Sequence, residues 1–367
     1  MNKLVIANLL HRPLRSIISV LAVAIEVIMI LSIVGVFMGM LDSQKERTNG
    51  IGADLVVSPS NASFMNGVGG APMSVKLADF LTRMPHVTVA SPVITDFNMS
   101  NAVEILYGID YKSYDSLKPF VFVAGGKFQT PDDVIIDDRY ASSGKGYHVG
   151  DTMIIKNHPF RVSGIVESGK GGRRLVPIDT LGSLIGSDGK ASVIYLKSDD
   201  PANDSLIIDE IHATKGLENY RVQTMADLIG LYTPSRFPGF DLALNVVIGI
   251  AVIVGFLVIF QSMYTAVLER TREIGILKSL GSSKLTIVSV VLRETAVLAI
   301  AGVLLGIAST YGVRELLHIR YSTFSFELTL AWVGWGTLIA FAGALCGALY
   351  PAWMAARKDP IDALAYE

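Results

Sequence analysis

The chain has 367 residues, of which 51% are hydrophobic and only 17% charged. Soluble domains carry about 25% charged residues, so this composition, with a mean hydropathy of +0.47, excludes a disordered chain and indicates that part of it lies in lipid. The 31 basic and 33 acidic residues nearly cancel, which excludes the basic footprint of a nucleic-acid-binding protein.

The first predicted element is a transmembrane helix at residues 16–41. A spanning helix needs about 20 mostly apolar residues, and this run lies between Arg15 and Asp42 with only Glu26 charged. It is too long for the apolar part of a cleaved signal peptide. We therefore expect a retained helix, preceded by a cytoplasmic amphipathic segment at residues 1–15.

Glu26 is the anomaly in this helix. It lies about 15 Å into the helix at ~1.5 Å per residue, near the bilayer midplane. A carboxylate is costly there, so we expect the side chain to face a bundle interior, a dimer cleft or water. Two interpretations stay open, namely a substrate contact or switch, and an interhelical hydrogen bond.

Residues 42–241 read as a mixed α+β domain. Runs rich in β-branched residues predict strands, and apolar residues at helical spacing predict helices. The predicted strands are 53–57, 87–94, 103–107, 152–155, 160–166 and 192–196, and the predicted helices are 75–83, 205–213 and 225–232. Paired carboxylates such as Asp137-Asp138 are expected in solvated turns.

Three further apolar runs predict transmembrane helices at residues 242–268, 285–313 and 328–356. A cytoplasmic coupling helix and loop (269–284), an external loop (314–327) and a cytoplasmic tail (357–367) connect or follow them. Nine basic residues flank the proposed cytoplasmic side and two lie in the short outer loop, which puts both termini in the cytoplasm. The fold class is thus a bundle of four transmembrane helices with an extracytoplasmic α+β domain inserted between the first two.

The segment from Glu269 to Gly281 follows the second membrane helix directly. Ile274, Leu277 and Leu280 form an apolar ridge at i, i+3 and i+6 among charged residues, and Gly281 suits a helix C-terminus. The pattern predicts a short amphipathic helix. It fits a groove on a partner protein and an anionic lipid surface equally well.

Catalytic patterns are missing from the sequence. The Gly-Lys pairs lack the spacing of a phosphate-binding loop, the six histidines show no metal-ligand spacing, and no serine lies in a nucleophile elbow. Cys346 is the single cysteine, so neither an internal disulfide nor a cysteine metal cluster is available. We expect a non-catalytic membrane subunit with no cofactor of its own.

Three cytoplasmic segments carry a family resemblance. The stretch ERTREIGILKSLG at 269–281, the closing stretch YPAWMAARKDPIDALAYE at 350–367 and the initial ANLLHRPLR at 7–15 resemble the corresponding motifs of MacB/FtsX-type ABC transporter permeases. The whole predicted topology matches that family as well.

The resemblance implies a homodimer, or a pair with a paralogous permease, in the bacterial cytoplasmic (inner) membrane. Each copy would bind a separate ABC ATPase subunit, which would hold the ATP and Mg²⁺, and its closure would move the external domain, a process called mechanotransmission. A periplasmic adaptor or outer-membrane channel is a further partner that the resemblance suggests.

The resemblance also assigns residues. The ATPase-coupling element would comprise Glu269, Arg270, Arg272, Glu273, Gly275, Leu277, Lys278 and Gly281. The cytoplasmic exit segment would comprise Tyr350, Pro351, Asp359, Pro360 and Leu364.

These expectations favour the permease subunit of an exporter or extractor of an amphipathic or lipid-like substrate. The alternative is an FtsX-like signal transducer whose external domain activates a cell-wall hydrolase. An external domain of about 200 residues is large for that branch, which favours export.

Overall fold

The structure is a computed structural model that describes residues 13–60, 73–98, 104–144, 146–236, 239–321 and 323–358. Two compact units are present. The helical unit contains the described residues up to Gly39, those from Gly239 to Leu317 and those from Phe326 onward; the sheet unit contains Met40 to Arg236 and the short segment from His318 to Ser325.

The helices and strands alternate along the chain in the order expected for a large domain inserted into a helical bundle. In chain order they are α1 Pro13–Asn49, β1 Leu55–Ser58, β2 Met73–Ser74, α2 Lys76–Leu81, β3 Val87–Asn98, β4 Glu104–Ile109, α3 Tyr111–Leu117, β5 Phe122–Gly125, β6 Asp133–Asp137, α4 Asp138–Ala141, β7 Thr152–Ile155, β8 His158–Val166, β9 Arg174–Pro177, α5 Ile178–Leu184, β10 Lys190–Ala191, β11 Val193–Ser198, α6 Asp204–Ala213, β12 Arg221–Thr224, α7 Met225–Gly230, α8 Phe240–Glu269, α9 Thr271–Ser279, α10 Lys284–Arg320 and α11 Leu330–Arg357. Short 3₁₀ turns lie at Pro201–Asn203 and Pro234–Arg236.

Four of these helices, α1, α8, α10 and α11, are long and apolar enough to cross a membrane. Helix α1 extends eight residues beyond the predicted membrane segment, and α10 continues to Arg320, so residues 314–320 are helical where a loop was expected. An apolar run marks the part of a helix that suits lipid, whereas the backbone hydrogen bonds of a helix also form between polar residues.

The sheet unit is built on a ten-stranded mixed sheet. Its strand order is β12-β1-β11-β3-β4-β9-β6-β8-β5, and β7 also pairs with β8. The pairs β4/β9 and β6/β8 are parallel, which requires crossover connections. Strands β2 and β10 form a separate small ladder.

The β7–β8 hairpin shows how local sequence sets the register of this sheet. Its two-residue turn is Lys156-Asn157, with φ of 52° and 61°, and Ile155 faces His158 across the ladder. Positive φ at both positions is the type I′ geometry that matches strand twist. Asparagine tolerates this conformation, and lysine adopts it at a cost in strain.

Asp137 corrects one sequence expectation. The Asp137-Asp138 pair was expected in a solvated turn, but the Asp137 side chain is buried at the end of β6 and accepts a hydrogen bond from the Tyr140 backbone N–H at 2.6 Å. Burial raises the pKa of Asp137, and the nearby Arg173 guanidinium opposes that rise. The carboxylate therefore caps α4 inside the domain.

Small residues line the interior of the helical unit. Ala340, Ala344, Ala348 and Ala352 recur every fourth residue on α11 and are fully buried, which puts them on one face. At Gly347 an added Cβ would lie 2.8 Å from the Phe256 carbonyl oxygen of α8. Helices α8 and α11 therefore approach through backbone contact, as small residues allow in membrane bundles.

Candidate coupling site

The predicted amphipathic segment forms α9, a short helix set off from α8 by a single joint. Helix α8 ends at Glu269, and Arg270 at the joint has φ −108° and ψ 18°, outside the helical region. The change of backbone conformation at Arg270 allows α9 to leave the line of the membrane helix.

The start of α9 is tied to two other helices. The Arg270 guanidinium contacts both carboxylate oxygens of Glu294 on α10, at 3.3 and 3.2 Å, and Glu269 forms an ion pair with Arg15 on α1. The Glu294 side chain is buried. An ionised carboxylate is costly to bury without a partner of opposite charge, so the Arg270–Glu294 pair is a structural element of the bundle.

The end of α9 is a Schellman motif, as the glycine in the sequence predicts. Gly281 has φ +92°, its N–H donates to the Lys278 carbonyl at 3.0 Å, and the Ser282 N–H donates to the Leu277 carbonyl at 3.0 Å. These are the two reversed hydrogen bonds of the motif. Ser283 then caps α10, because its Oγ accepts from the Thr286 N–H at 3.2 Å.

Lys278 joins two of the segments that carry the family resemblance, 269–281 and 350–367. Its Nζ donates to the Ala356 carbonyl at 3.1 Å and to the Lys358 carbonyl, at the C-terminal end of α11. Carbonyls at a helix C-terminus lack partners within the helix and carry partial negative charge. An ammonium group satisfies both, so Lys278 anchors α9 to the exit segment.

The predicted apolar ridge is split between two faces, which corrects the sequence interpretation. Ile274 is 9% exposed and Leu277 is half-buried, and both pack into the core of the helical unit. Leu280, in contrast, is 79% exposed. The inner turn of α9 closes the end of the bundle, so Ile274 and Leu277 are used for folding.

The outer face of α9 consists of Arg272, Glu273, Ile276 and Leu280, all exposed. Leu285, at the start of α10, is 80% exposed. Ile276 and Leu285 were absent from the predicted coupling residues. In the sequence, each is an apolar residue that does not share the helical spacing of the buried residues. Such a residue can be recognised as exposed only when the buried face of the helix is known.

The exit segment is partly described. Pro351 lies buried within α11, and Tyr350 is 53% exposed on the same helix. Arg357 lies over the Trp353 ring at 3.9 Å from its centroid, a cation–π contact. Asp359, Pro360 and Leu364 lie outside the described residues, as does most of the 7–15 motif.

Glu26 faces the interior of the helical unit. It is 3% exposed, and neither carboxylate oxygen has a hydrogen-bond partner among the described residues. Gly255 on α8 and Gly343 on α11 lie against the carboxyl group, where any larger side chain would meet it. Of the three predicted surroundings the bundle interior is correct, and the predicted interhelical hydrogen bond is not formed within the described part of the chain.

Comparison with known proteins identifies the family. A family model described as the MacB-like periplasmic core domain matches residues 16–214, more than half of the chain, and one described as the FtsX-like permease C-terminal domain matches residues 245–360. The chain belongs to the MacB/FtsX family of ABC transporter permeases. The predicted family and fold class are therefore confirmed, and the four long apolar helices belong to a membrane protein.

Individual relatives are distant in sequence. The chain is 24% identical to the uncharacterised ABC transporter permease YknZ of Bacillus subtilis, covering 100% of this chain and 98% of YknZ. It is 26% identical to the macrolide export ATP-binding/permease protein MacB of a Shewanella strain, covering 97% of this chain but only 59% of that protein. The crystal structure of the periplasmic region of MacB from Actinobacillus actinomycetemcomitans is 18% identical, with a TM-score of 0.40, and the match covers 49% of this chain and 92% of that one.

Proposed function

We propose that this permease transmits movement from a separate ABC ATPase subunit, through α9, to its own sheet unit. The observation that carries the proposal is the division of α9 into an inner face bonded to other helices and an outer face left exposed. ATP and Mg²⁺ would be held by the partner, and this chain would contribute no catalytic residue.

The mechanical connection comes from Lys278 on the inner face of α9 and from Glu269 and Arg270, which directly precede that helix. Arg270 bonds to α10, Lys278 bonds to the end of α11, and Glu269 pairs with α1. A displacement of α9 would therefore act on three membrane helices through short polar contacts. Rigid helices joined in this way can carry coupling between distant sites.

The outer face supplies the surface for the ATPase. Leu280 and Ile276 are exposed apolar side chains beside Arg272 and Glu273. A short helix with apolar anchors among charges suits insertion into a groove on a partner protein. This combination favours the protein partner over the lipid surface that the sequence left open.

We infer further that the working unit is a dimer of this chain, or a pair with a paralogous permease, in the bacterial inner membrane with both termini cytoplasmic. Its substrate would be amphipathic or lipid-like and would be moved by the external domains, with a periplasmic adaptor or outer-membrane channel as a further partner. Close packing between α8 and α11 at Gly347 supports only the part of this inference that keeps the substrate out of the bundle, because it leaves no passage between those two helices.

The test compares two double variants that make the same chemical change. Arg272→Glu with Leu280→Glu alters the outer face of α9, and Arg314→Glu with Leu316→Glu makes the same replacements near the opposite end of α10, where Leu316 is 67% exposed. Each would be co-purified with the ABC ATPase subunit that binds the wild-type chain, and ATP hydrolysis by the complex would be measured.

We expect the α9 double variant to weaken association about tenfold or more, a loss equal to about 1.4 kcal/mol or more, and the α10 double variant to associate as the wild type does. Wild-type association and hydrolysis in the α9 variant would contradict the proposal.

A further inference from the structure

The sheet unit contains a polar cavity of about 280 Å³ at the end of α1. Its walls come from the last turns of α1, the loop before β5 and the loop after β8. Five of its lining residues carry the inference: Glu46, Lys118, Val121, Glu167 and Lys170. This volume is slightly below the range of drug-sized pockets, about 300–1,000 Å³, and suits a ligand headgroup.

Backbone hydrogen bonds hold the walls together. The Glu167 N–H donates to the Val121 carbonyl at 3.0 Å, which joins the two loops, and the Gly171 N–H donates to the Arg47 carbonyl at 2.9 Å, which joins α1 to the second loop. The cavity is therefore a formed feature of the sheet unit.

Lys170 provides a buried cation with unused hydrogen-bonding capacity. The residue is 8% exposed, its Nζ donates to the Lys118 carbonyl, and its ammonium lies 5.4 Å from the centroid of the Phe120 ring. Burial lowers the pKa of Lys170 to about 8, aided by the positive charge of Lys118 and opposed by Asp115. An ammonium has three donors, and the described residues give this one a single oxygen acceptor.

The cavity carries both signs of charge. Lys118 and Lys170 line it together with Glu46 and Glu167. Glu46 forms an ion pair with Arg139 at 3.4 Å, whereas the Glu167 carboxylate has no ion-pair partner among the residues that the structure describes. A ligand with only a negative charge would be attracted by the lysines but repelled by the carboxylates. A ligand that carries both an anionic and a cationic group can pair with the lysines and the carboxylates at once.

The position along α1 indicates where such a ligand lies. Glu46 follows Leu41, the end of the apolar run, by five residues, or about 7.5 Å at ~1.5 Å per residue. The polar layer of a bilayer extends about 5–8 Å beyond its hydrocarbon core, so Glu46, counted along α1, falls at headgroup level. Val121 on its rim is 54% exposed and Val123 is 61% exposed, which adds an apolar border.

We infer that this cavity binds the zwitterionic headgroup of an amphipathic molecule held in the outer leaflet. Lys118 and Lys170 bind the anionic group, Glu167 binds the ammonium group, and Val121 and Val123 contact the apolar part. The inference rests on the proposed function, which puts the sheet unit outside and makes the substrate amphipathic.

The test is a calorimetric titration of the full chain in nanodiscs with dihexanoyl phosphatidylethanolamine. Lys118→Gln removes one cavity lysine whose side chain is exposed, so this variant is expected to fold, and Lys112→Gln removes an exposed lysine of α3 outside the cavity. We expect Lys118→Gln to weaken binding about tenfold or more, since it removes a charge-assisted hydrogen bond to the anionic group, and Lys112→Gln to leave binding unchanged.

Two further probes define the ligand. Dihexanoyl phosphatidylglycerol, which lacks the amine, should bind the wild type more weakly, and Glu167→Gln should remove that preference. Inorganic phosphate should bind more weakly than either lipid. Equal affinities for phosphate and lipid, equal affinities for the two lipids, or equal effects of Lys118→Gln and Lys112→Gln would each overturn the inference.

The same preparations distinguish the two proposals. If the wild type associates with its ATPase but does not bind dihexanoyl phosphatidylethanolamine, the cavity inference fails and the proposed function stands. If lipid binding depends on Lys118 and the ATPase does not associate, the coupling function fails and the headgroup site stands.

Discussion

At the scale of single residues, Lys278 is assigned to anchoring α9 within the chain and not to docking the ATPase. The resemblance groups it with the other coupling residues, but its ammonium is bonded to carbonyls at the end of α11. We expect Lys278→Met to lower the melting temperature of the chain, because it removes charge-assisted hydrogen bonds that contribute about 1.5–3 kcal/mol each. Lys284→Met, at the exposed first residue of α10, is the control and should leave the melting temperature unchanged.

Replacement by leucine should change the melting temperature differently at the two buried glutamates of the helical unit. Glu294 is paired with Arg270, so Glu294→Leu leaves a buried guanidinium without that carboxylate, a change that costs about 3–5 kcal/mol in comparable pairs. Glu26 has no partner among the described residues, so Glu26→Leu should keep or raise the melting temperature. Thermal unfolding of both variants in detergent checks this, and equal destabilisation by the two would contradict the structure.

The functional interpretation of Glu26 is tested with the same Glu26→Leu protein. If the carboxyl group acts as a switch or a substrate contact, ATP hydrolysis by the complex and transport should fall although the protein remains stable. Unchanged hydrolysis and transport would leave Glu26 with a packing role alone, in the space beside Gly255 and Gly343.

Lys170 gives a prediction about pH. Its pKa is lowered from 10.5 to about 8 by burial, so between these values the unfolded chain binds more protons at this site than the folded chain. The free energy of unfolding from this group therefore rises with pH from about 8 to 10.5. We expect the melting temperature of the wild type to rise relative to Lys170→Met over that window, and parallel curves for the two proteins would show that Lys170 is not desolvated.

At the scale of helices and strands, the two glycines of the Gly-x-x-x-Gly sequence in α10, Gly302 and Gly306, lie against α1. An added Cβ at Gly302 would lie 2.8 Å from the Val20 carbonyl oxygen, and one at Gly306 would lie 2.9 Å from the Ala24 carbonyl oxygen, both on α1. Backbone atoms cannot move aside as flexible side chains do, so these glycines set the spacing of α1 and α10.

We expect Gly302→Ala and Gly306→Ala each to destabilise the helical unit by about 1–3 kcal/mol, the usual cost of overpacking. Gly312→Ala is the matched control in the same helix, because nothing lies within 4 Å of its added Cβ. That control should be neutral or stabilising by up to about 1 kcal/mol, since alanine favours the helix. Thermal unfolding of the three variants tests this, and equal melting temperatures for all three would contradict the close contact of α10 with α1.

Helices and strands were predicted best where the apolar or β-branched residues of a segment follow a single helical or strand pattern. The β7 strand and helices α6 and α7 begin within one residue of their predicted positions, because β-branched runs and helical spacing are local signals. Strands β2, β5, β6, β9, β10 and β12 escaped prediction, and each has only two to five residues. In β6 and β9, DVIID and RLVP, the apolar run is only two or three residues long, and only their partners in the sheet bury them.

The same limit explains the errors at the candidate site. Spacing located the helix and its terminal glycine, but it could not tell which apolar side chains of α9 face the bundle. That depends on α8 and α10, which are brought together by tertiary packing. Likewise, the sequence identified Glu26 as costly without showing that Gly255 and Gly343 surround it.

At the scale of the whole molecule, the chain combines a membrane bundle with a large sheet domain, and the proposed function requires the two to move together. The anchored face of α9 explains how force enters the bundle, and the cavity at the end of α1 is a separate property of the sheet unit. In the proposed function, movement of the sheet unit in response to ATP would be the event that joins the ATPase to the substrate.

The decisive measurement is the electron-spin distance between labels on the two copies of this chain in the proposed dimer, reconstituted in a nanodisc with the proposed ATPase partner. Asp209→Cys on the exposed side of α6, in a Cys346→Ser background, provides one label per chain. We expect the distance distribution to shift between the nucleotide-free and ATP-bound states, and the shift to disappear with Arg272→Glu and Leu280→Glu. If the protein with the unaltered α9 gave the same distance distribution in the nucleotide-free and ATP-bound states, that result would contradict mechanotransmission by this protein.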